Sequence, residues 1–183
     1  MLGAGVTITG LTGVFCSIMI YRDTRREFWC GAITSLKLVG TTLVLGPATI
    51  LFSMLLQSVF AHGVAAQALF QQIVHLLCGF VAAATTGKLL WELTMFLHLR
   101  DADRSIMKRT ALLMRDPLRG ATISRFVVGA LGGVILPVAG LLGCLDVGTA
   151  AGILALSLLG ELLERYLFFR AVVPPKMPGG IPS

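Results

Sequence analysis

Charge is what this chain lacks. Only 13% of its 183 residues are Asp, Glu, Lys or Arg, while 56% are hydrophobic; soluble domains carry about 25% charged residues. With a mean hydropathy of +0.87, there is too little polar surface to coat a water-soluble globule. Cysteine is sparse as well. Cys16, Cys30, Cys78 and Cys144 form no C-x-x-C pair and no metal-ligand spacing, so neither a disulfide nor a bound metal is expected. A Gly-rich phosphate loop, a nucleophile elbow, an HExxH motif and a Ser/His/Asp arrangement are all missing, and nothing supports a self-contained hydrolase or transferase. The first apolar run starts at Leu2 without a basic leader, so a cleavable signal peptide is not expected either.

What is present is long apolar runs. Five stretches can each cross a bilayer: Leu2 to Tyr21, a span within Thr34 to Phe60, a span within Gln67 to Leu99, about Phe126 to Cys144, and Val147 to about Phe169. Lipid cannot satisfy exposed backbone groups, so each must be helical. The expected fold is therefore all-α: a polytopic membrane protein in which five transmembrane helices form one bundle over residues 1–183. Pro47 and Pro137 fall inside the second and fourth spans, where they are expected to kink the helices. Gly129 and Gly133 make a G-x-x-x-G spacing that permits close helix approach.

The net charge of +6 is distributed as topology rather than as a nucleic-acid groove. Arg22, Arg25 and Arg26, with Asp23 and Glu27, separate the first two spans, and Lys37 follows just inside the second. Arg100, Arg104, Lys108, Arg109, Arg115, Arg119 and Arg125 separate the third from the fourth, against three aspartates. The second connection carries nothing ionised at neutral pH, and the fourth carries only Asp146. Basic and nearly uncharged connections alternate, as five true spans require. The positive-inside rule places the basic loops and the C-terminus in the cytoplasm and Met1 outside.

Two charged pairs fall in the half of the bilayer next to the basic loops. Lys88 and Glu92 stand at i and i+4 on the third span, with Thr85 one turn earlier. Glu161 and Arg165 stand at i and i+4 on the fifth, with Glu164 on an adjacent face. An ionisable residue at membrane depth is a functional candidate. The plain alternatives are that Lys88 snorkels to the interface and that Glu161 and Arg165 form an interfacial salt bridge. The histidines do not suit a bis-histidine haem. His75 and His98 lie on one helix, about 34 Å apart along it, and His62 belongs to the uncharged side. His75 is read as a satisfied polar residue of the bundle.

The segments FCSIMIYRDTRREFW, TTLVLGP, GKLLWEL, LMRDPL and GELLERYLFFRAVVPPKMPGG, in that order over most of the chain, resemble the C-terminal part of the dimethyl sulfoxide reductase membrane-anchor family, which is related to the polysulfide reductase anchors. The resemblance implies the last five of about eight helices. It implies an anchor that binds an iron–sulfur subunit and a molybdopterin catalytic subunit, and passes electrons from menaquinol to the clusters in anaerobic respiration. No haem or metal would reside in this chain. A cell (inner) membrane of a bacterium or archaeon is implied too, with the C-terminus on the periplasmic side, opposite to the charge rule. Glu161 and Arg165 occupy the matching GEL-x-x-R positions. Together with Lys88 and Glu92 they are the candidates for handling quinol protons. The rival expectation is a transporter or permease fragment whose buried charges bind a coupling ion or substrate, which would carry discontinuous helices.

Overall fold

The computed structural model describes residues 2–23, 31–60, 67–100 and 105–171. Among these, every regular element is helical and none is a strand. The helices are α1 (Leu2–Asp23), α2 (Gly31–Phe60), α3 (Gln67–Thr94), α4 (Ile106–Arg115), α5 (Arg119–Ala130), α6 (Leu136–Leu141) and α7 (Val147–Arg170). A 3₁₀ turn, Met95–Arg100, prolongs α3, and a π turn, Leu131–Ile135, joins α5 to α6. Five spans are long and apolar enough to cross a membrane: Gly3–Asp23, Gly31–Phe60, Leu69–Arg100, Arg119–Leu141 and Val147–Arg170. The chain is a multi-pass, all-α membrane protein.

Helix α7 is central. It packs against α2, α5 and the π turn, while α3 packs against α2 and α6. Helix α1 lies outside this group against α2, with none of its described residues buried. Its Tyr21 ring meets Phe168 of α7 nearly edge-on, centroids 5.5 Å apart. Hydroxyls on the outer faces close onto their own helices: Thr12 to the Ile8 carbonyl (2.8 Å), Ser53 to Thr49 (2.8 Å), Thr86 to Ala82 (2.7 Å). A side chain facing hydrocarbon thus leaves no donor open.

Close packing, rather than hydrophobic transfer, must hold such helices together in lipid. The glycines of the fourth span provide it. A Cβ at Gly132 would stand 2.4 Å from Leu156 Cβ of α7, and one at Gly133 would stand 2.4 Å from Thr85 Cγ2 of α3. Pro137 follows at the first turn of α6. Its ring cannot donate to the Gly133 carbonyl and would crowd it, and the wider π turn before it absorbs that mismatch. Asp146 opens α7 by accepting a hydrogen bond from the Thr149 amide (2.7 Å). The hydroxyl and amide of Thr149 hold this exposed carboxyl below the usual carboxylate range.

Two expectations are corrected here. The fourth span begins at Arg119, not near Phe126, because Arg125 is folded into the bundle instead of standing in the loop. His75 is exposed. The face of α3 that enters the bundle here is set by Val74, Cys78 and Val81, and a residue about 100° round from Val74 points outward. His62 and Cys30 lie outside the described residues; Cys16, Cys78 and Cys144 are free thiols.

Along its axis the bundle is layered. Near the uncharged connections, Ala48, Leu51, Leu55, Val74, Val81 and Ile153 make a dry core. Near the basic connections, Met114, Leu167 and Ala171 make a small apolar plug beneath α4. Between them lies a layer of charge.

Candidate functional site

Four helices build that layer, each with side chains one turn apart or alone. Helix α2 supplies Lys37 and Thr41, α3 supplies Lys88 and Glu92, α5 supplies Arg125, and α7 supplies Glu161, Glu164 and Arg165. The relative exposures are 1% for Arg125, 2% for Glu164, 3% for Glu161, 8% for Lys88 and 9% for Glu92. These are buried ions, so each must be paired.

Glu161 and Glu164 are the hub. Lys88 Nζ forms a short contact with Glu161 Oε2 and lies 2.6 Å from Glu164 Oε2. Lys37 Nζ reaches Glu164 Oε1 at 2.9 Å. Arg125 Nη2 lies 2.8 Å from Glu92 Oε1 and 3.3 Å from Glu161 Oε1. Thr41 is the small pivot of the layer. Its hydroxyl lies 2.6 Å from Glu161 Oε2 and 2.9 Å from the Lys37 carbonyl, and receives hydrogen bonds from Lys88 Nζ (3.1 Å) and Arg165 Nη2 (2.8 Å). One hydroxyl proton therefore faces two acceptors. Four cations stand against three carboxylates, one positive charge in excess. At 1.5 Å per residue, Glu161 lies about 21 Å from the start of α7 and about 14 Å from its end. The layer is well inside the bundle, on the side of the basic loops.

The structure gathers all four sequence candidates into this one layer, but not in the pairs their spacing suggested. Arg165 turns away from Glu161, one turn back on its own helix, and donates to Thr41 Oγ1 and to the Lys37 carbonyl (3.3 Å). Glu161 is paired across helices instead, because Lys88 and Arg125 offer it cations from two neighbours. Lys88 does not snorkel outward. Its stem runs across Gly40, where a Cβ would be 3.2 Å from Lys88 Cδ, and its head points inward. Sequence reasoning missed Lys37, Thr41, Arg125 and Glu164 as members; it had placed Glu164 only on an adjacent face of its helix. Arg125 had a legible signal: it shares the face of Thr122, Gly129 and Gly132, a stripe of small residues that leaves room for a guanidinium and marks the bundle side.

Two clefts border the layer. One, of about 140 Å³, opens between α2 and α3 through Leu36, Gly40, Leu43, Ala84 and Gly87, and ends at Lys37, Lys88, Glu92 and Glu164. Leu36 and Leu43 are 44% and 45% exposed, so this doorway faces the hydrocarbon side of the bundle. The other, of about 240 Å³, lies toward the basic end; Trp91, Met95, Met114 and Phe168 give it apolar walls. Lys37, Glu92, Glu164, His98 and Thr94 are among its polar groups. The two share Lys37, Trp91, Glu92 and Glu164. Chemically, this is a chamber with an apolar side door and ionised groups at its inner wall. It suits a molecule that is apolar in bulk and carries exchangeable protons or a hydrogen-bonding head.

Among the described residues no group of three or more His, Cys, Asp or Glu is placed to hold a metal ion. Comparison with family models, with curated proteins and with solved structures found no match to this chain.

Proposed function

We propose that the chain is the membrane-anchor and quinol-oxidising part of a molybdoenzyme complex of the dimethyl sulfoxide reductase type. In this reading it holds an iron–sulfur subunit and a molybdopterin catalytic subunit at a bacterial or archaeal cell membrane. It accepts menaquinol from the bilayer for anaerobic electron transport. The resemblance of the quoted segments motivates the family. The observation that carries the chemistry is the lateral doorway between α2 and α3, which ends on buried ions. A quinol is a long apolar tail with a hydroxylated ring; it travels in the hydrocarbon and needs a side opening. Inside, it needs acceptors for its hydroxyl protons, and Glu92 and Glu164 face the chamber. Lys37 and Lys88 orient Glu164, and Arg125 orients Glu92. The electrons leave to the partner's clusters.

The test is purification of the tagged chain from its native host in mild detergent. Two soluble partners together with molybdenum and iron are expected. Glu92→Gln in that complex should slow menadiol-driven reduction about tenfold or more while the three subunits still assemble. Loss of assembly, or no change, would remove Glu92 from the chemistry. The rival reading is a transporter fragment, which the interruption of the fourth span by its π turn favours. A chain that purifies folded, alone and without metal would support that rival.

A further inference from the structure

Oxidation of a quinol to a quinone frees two electrons and two protons. The electrons pass to the iron–sulfur clusters of the partner subunit. The protons must leave by groups of this chain, and the carboxylates that first meet them are poor stores. Glu92 is held by Arg125 at 2.8 Å, and Glu164 by Lys37 at 2.9 Å and Lys88 at 2.6 Å; a proton resting on either forfeits an ion pair. The larger cleft offers a third site. His98 lines it with Glu92 and Glu164, and the histidine is exposed at the basic end, on the 3₁₀ turn that ends the third span. Its imidazole has two ring nitrogens, one to accept a proton and one to give a proton up. Lys37 from α2, Glu92 from α3 and Glu164 from α7 share the cleft with it; α4 brings Lys108 beside Met107, and Arg100 follows on its own turn.

We infer that His98 is the proton exit of the chamber: it takes a proton from the Glu92 and Glu164 carboxylates and passes it to water at the basic-loop face. This rests on the quinol reading above. In each cycle a quinol hydroxyl proton moves to a carboxylate oxygen, then to an imidazole nitrogen of His98. The opposite nitrogen loses its proton to water, and two such transfers accompany the two electrons. His98 acts through the carboxylates, on the proton after it has left the ring.

Two measurements on the intact complex separate the inference from its foundation. Trp91 lines both clefts, and in a Trp29→Phe background it is the chain's single tryptophan. The part of the complex's emission that is lost in Trp91→Phe belongs to this residue, and quenching of that part by menadione reads occupancy of the chamber. Bleaching of the partner's clusters by menadiol reads turnover. In His98→Ala at saturating menadiol we expect bleaching slower by roughly tenfold or more, and recovery when free imidazole is added. Unchanged bleaching, or slowing that imidazole does not relieve, would each overturn the proton exit while leaving the chamber standing. Absence of quenching in the parent protein would overturn the chamber itself, and His98 with it.

Discussion

Arg125→Met is the sharpest perturbation of the charged layer. Two arguments about it disagree. Counting charges, the layer holds four cations and three carboxylates, so removing one cation balances it and should be harmless. Counting contacts, Arg125 is the cation at 2.8 Å from Glu92 and also touches Glu161 at 3.3 Å, while Lys88 is already engaged by Glu161 and Glu164. The local argument wins, because Coulomb attraction falls with distance and the desolvation cost of a buried carboxylate does not. Methionine also leaves a gap: the guanidinium is bracketed by glycines, with a Cβ at Gly129 or Gly160 falling 2.8 or 2.9 Å from Nη1. Breaking a buried pair in this way costs about 3–5 kcal/mol. Glu92→Gln keeps an acceptor for the arginine and should cost about 1 kcal/mol. The double variant Arg125→Met/Glu92→Gln removes both ions and should be more stable than Arg125→Met alone, a coupling of about 2–3 kcal/mol. Unfolding of the detergent-solubilised chain by SDS titration measures all three. If Arg125→Met costs under about 1 kcal/mol, or the double variant is worse than the sum of the singles, the layer is hydrated and pairing does not hold α3, α5 and α7 together.

Other consequences follow from the same geometry. Gly132→Ala and Gly133→Ala should each destabilise by about 1–3 kcal/mol, since their new methyls would stand 2.4 Å from Leu156 and Thr85, whereas Gly87→Ala meets nothing within 4 Å and should be silent in the same titration. Thr41→Val removes a hydroxyl that Lys88 and Arg165 both use and should cost about 1–3 kcal/mol; Thr41→Ser should restore it, and equal loss in both variants would deny the hydroxyl its role. Asp146 has its carboxyl pKa lowered by Thr149 in the folded chain, so its capping contribution is present above the ordinary carboxylate pKa and lost as pH falls through the lower folded value. Protection of the Thr149 amide, its exchange rate compared with that of a free peptide at the same pH, should therefore fall in acid in the parent and be low at all pH values in Asp146→Ala.

The five spans were legible because length and hydropathy are local properties. So was the side of the membrane that holds the charge. What could not be read was pairing. Helical spacing offered Glu161 the arginine four residues on, yet its partners are Lys88, Thr41 and Arg125, 73, 120 and 36 residues away. An i,i+4 contact contributes a few tenths of a kcal/mol on an exposed face, and a cation arriving from another helix in a buried layer outweighs it. The start of the fourth span was misjudged for a related reason. An arginine beside an apolar run reads as loop until the carboxylate that accepts it is known, and Glu92 lies 33 residues earlier.

Stability alone does not account for such a layer. Well-packed apolar side chains in place of a buried ion network are often neutral or stabilising, and the dry core around Leu51 and Ile153 demonstrates that these same helices pack without charge. Yet Lys37, Lys88, Glu92, Arg125, Glu161 and Glu164 are gathered into one turn of the bundle, and two clefts meet on them. The excess cation has a place in that account. Arg165 donates to two neutral oxygens, so the layer carries a positive charge, which the proposed quinol would balance as its hydroxyl loses a proton. An ion layer serving only as a clamp would be neutral and sealed; this one is charged and opens toward lipid between α2 and α3.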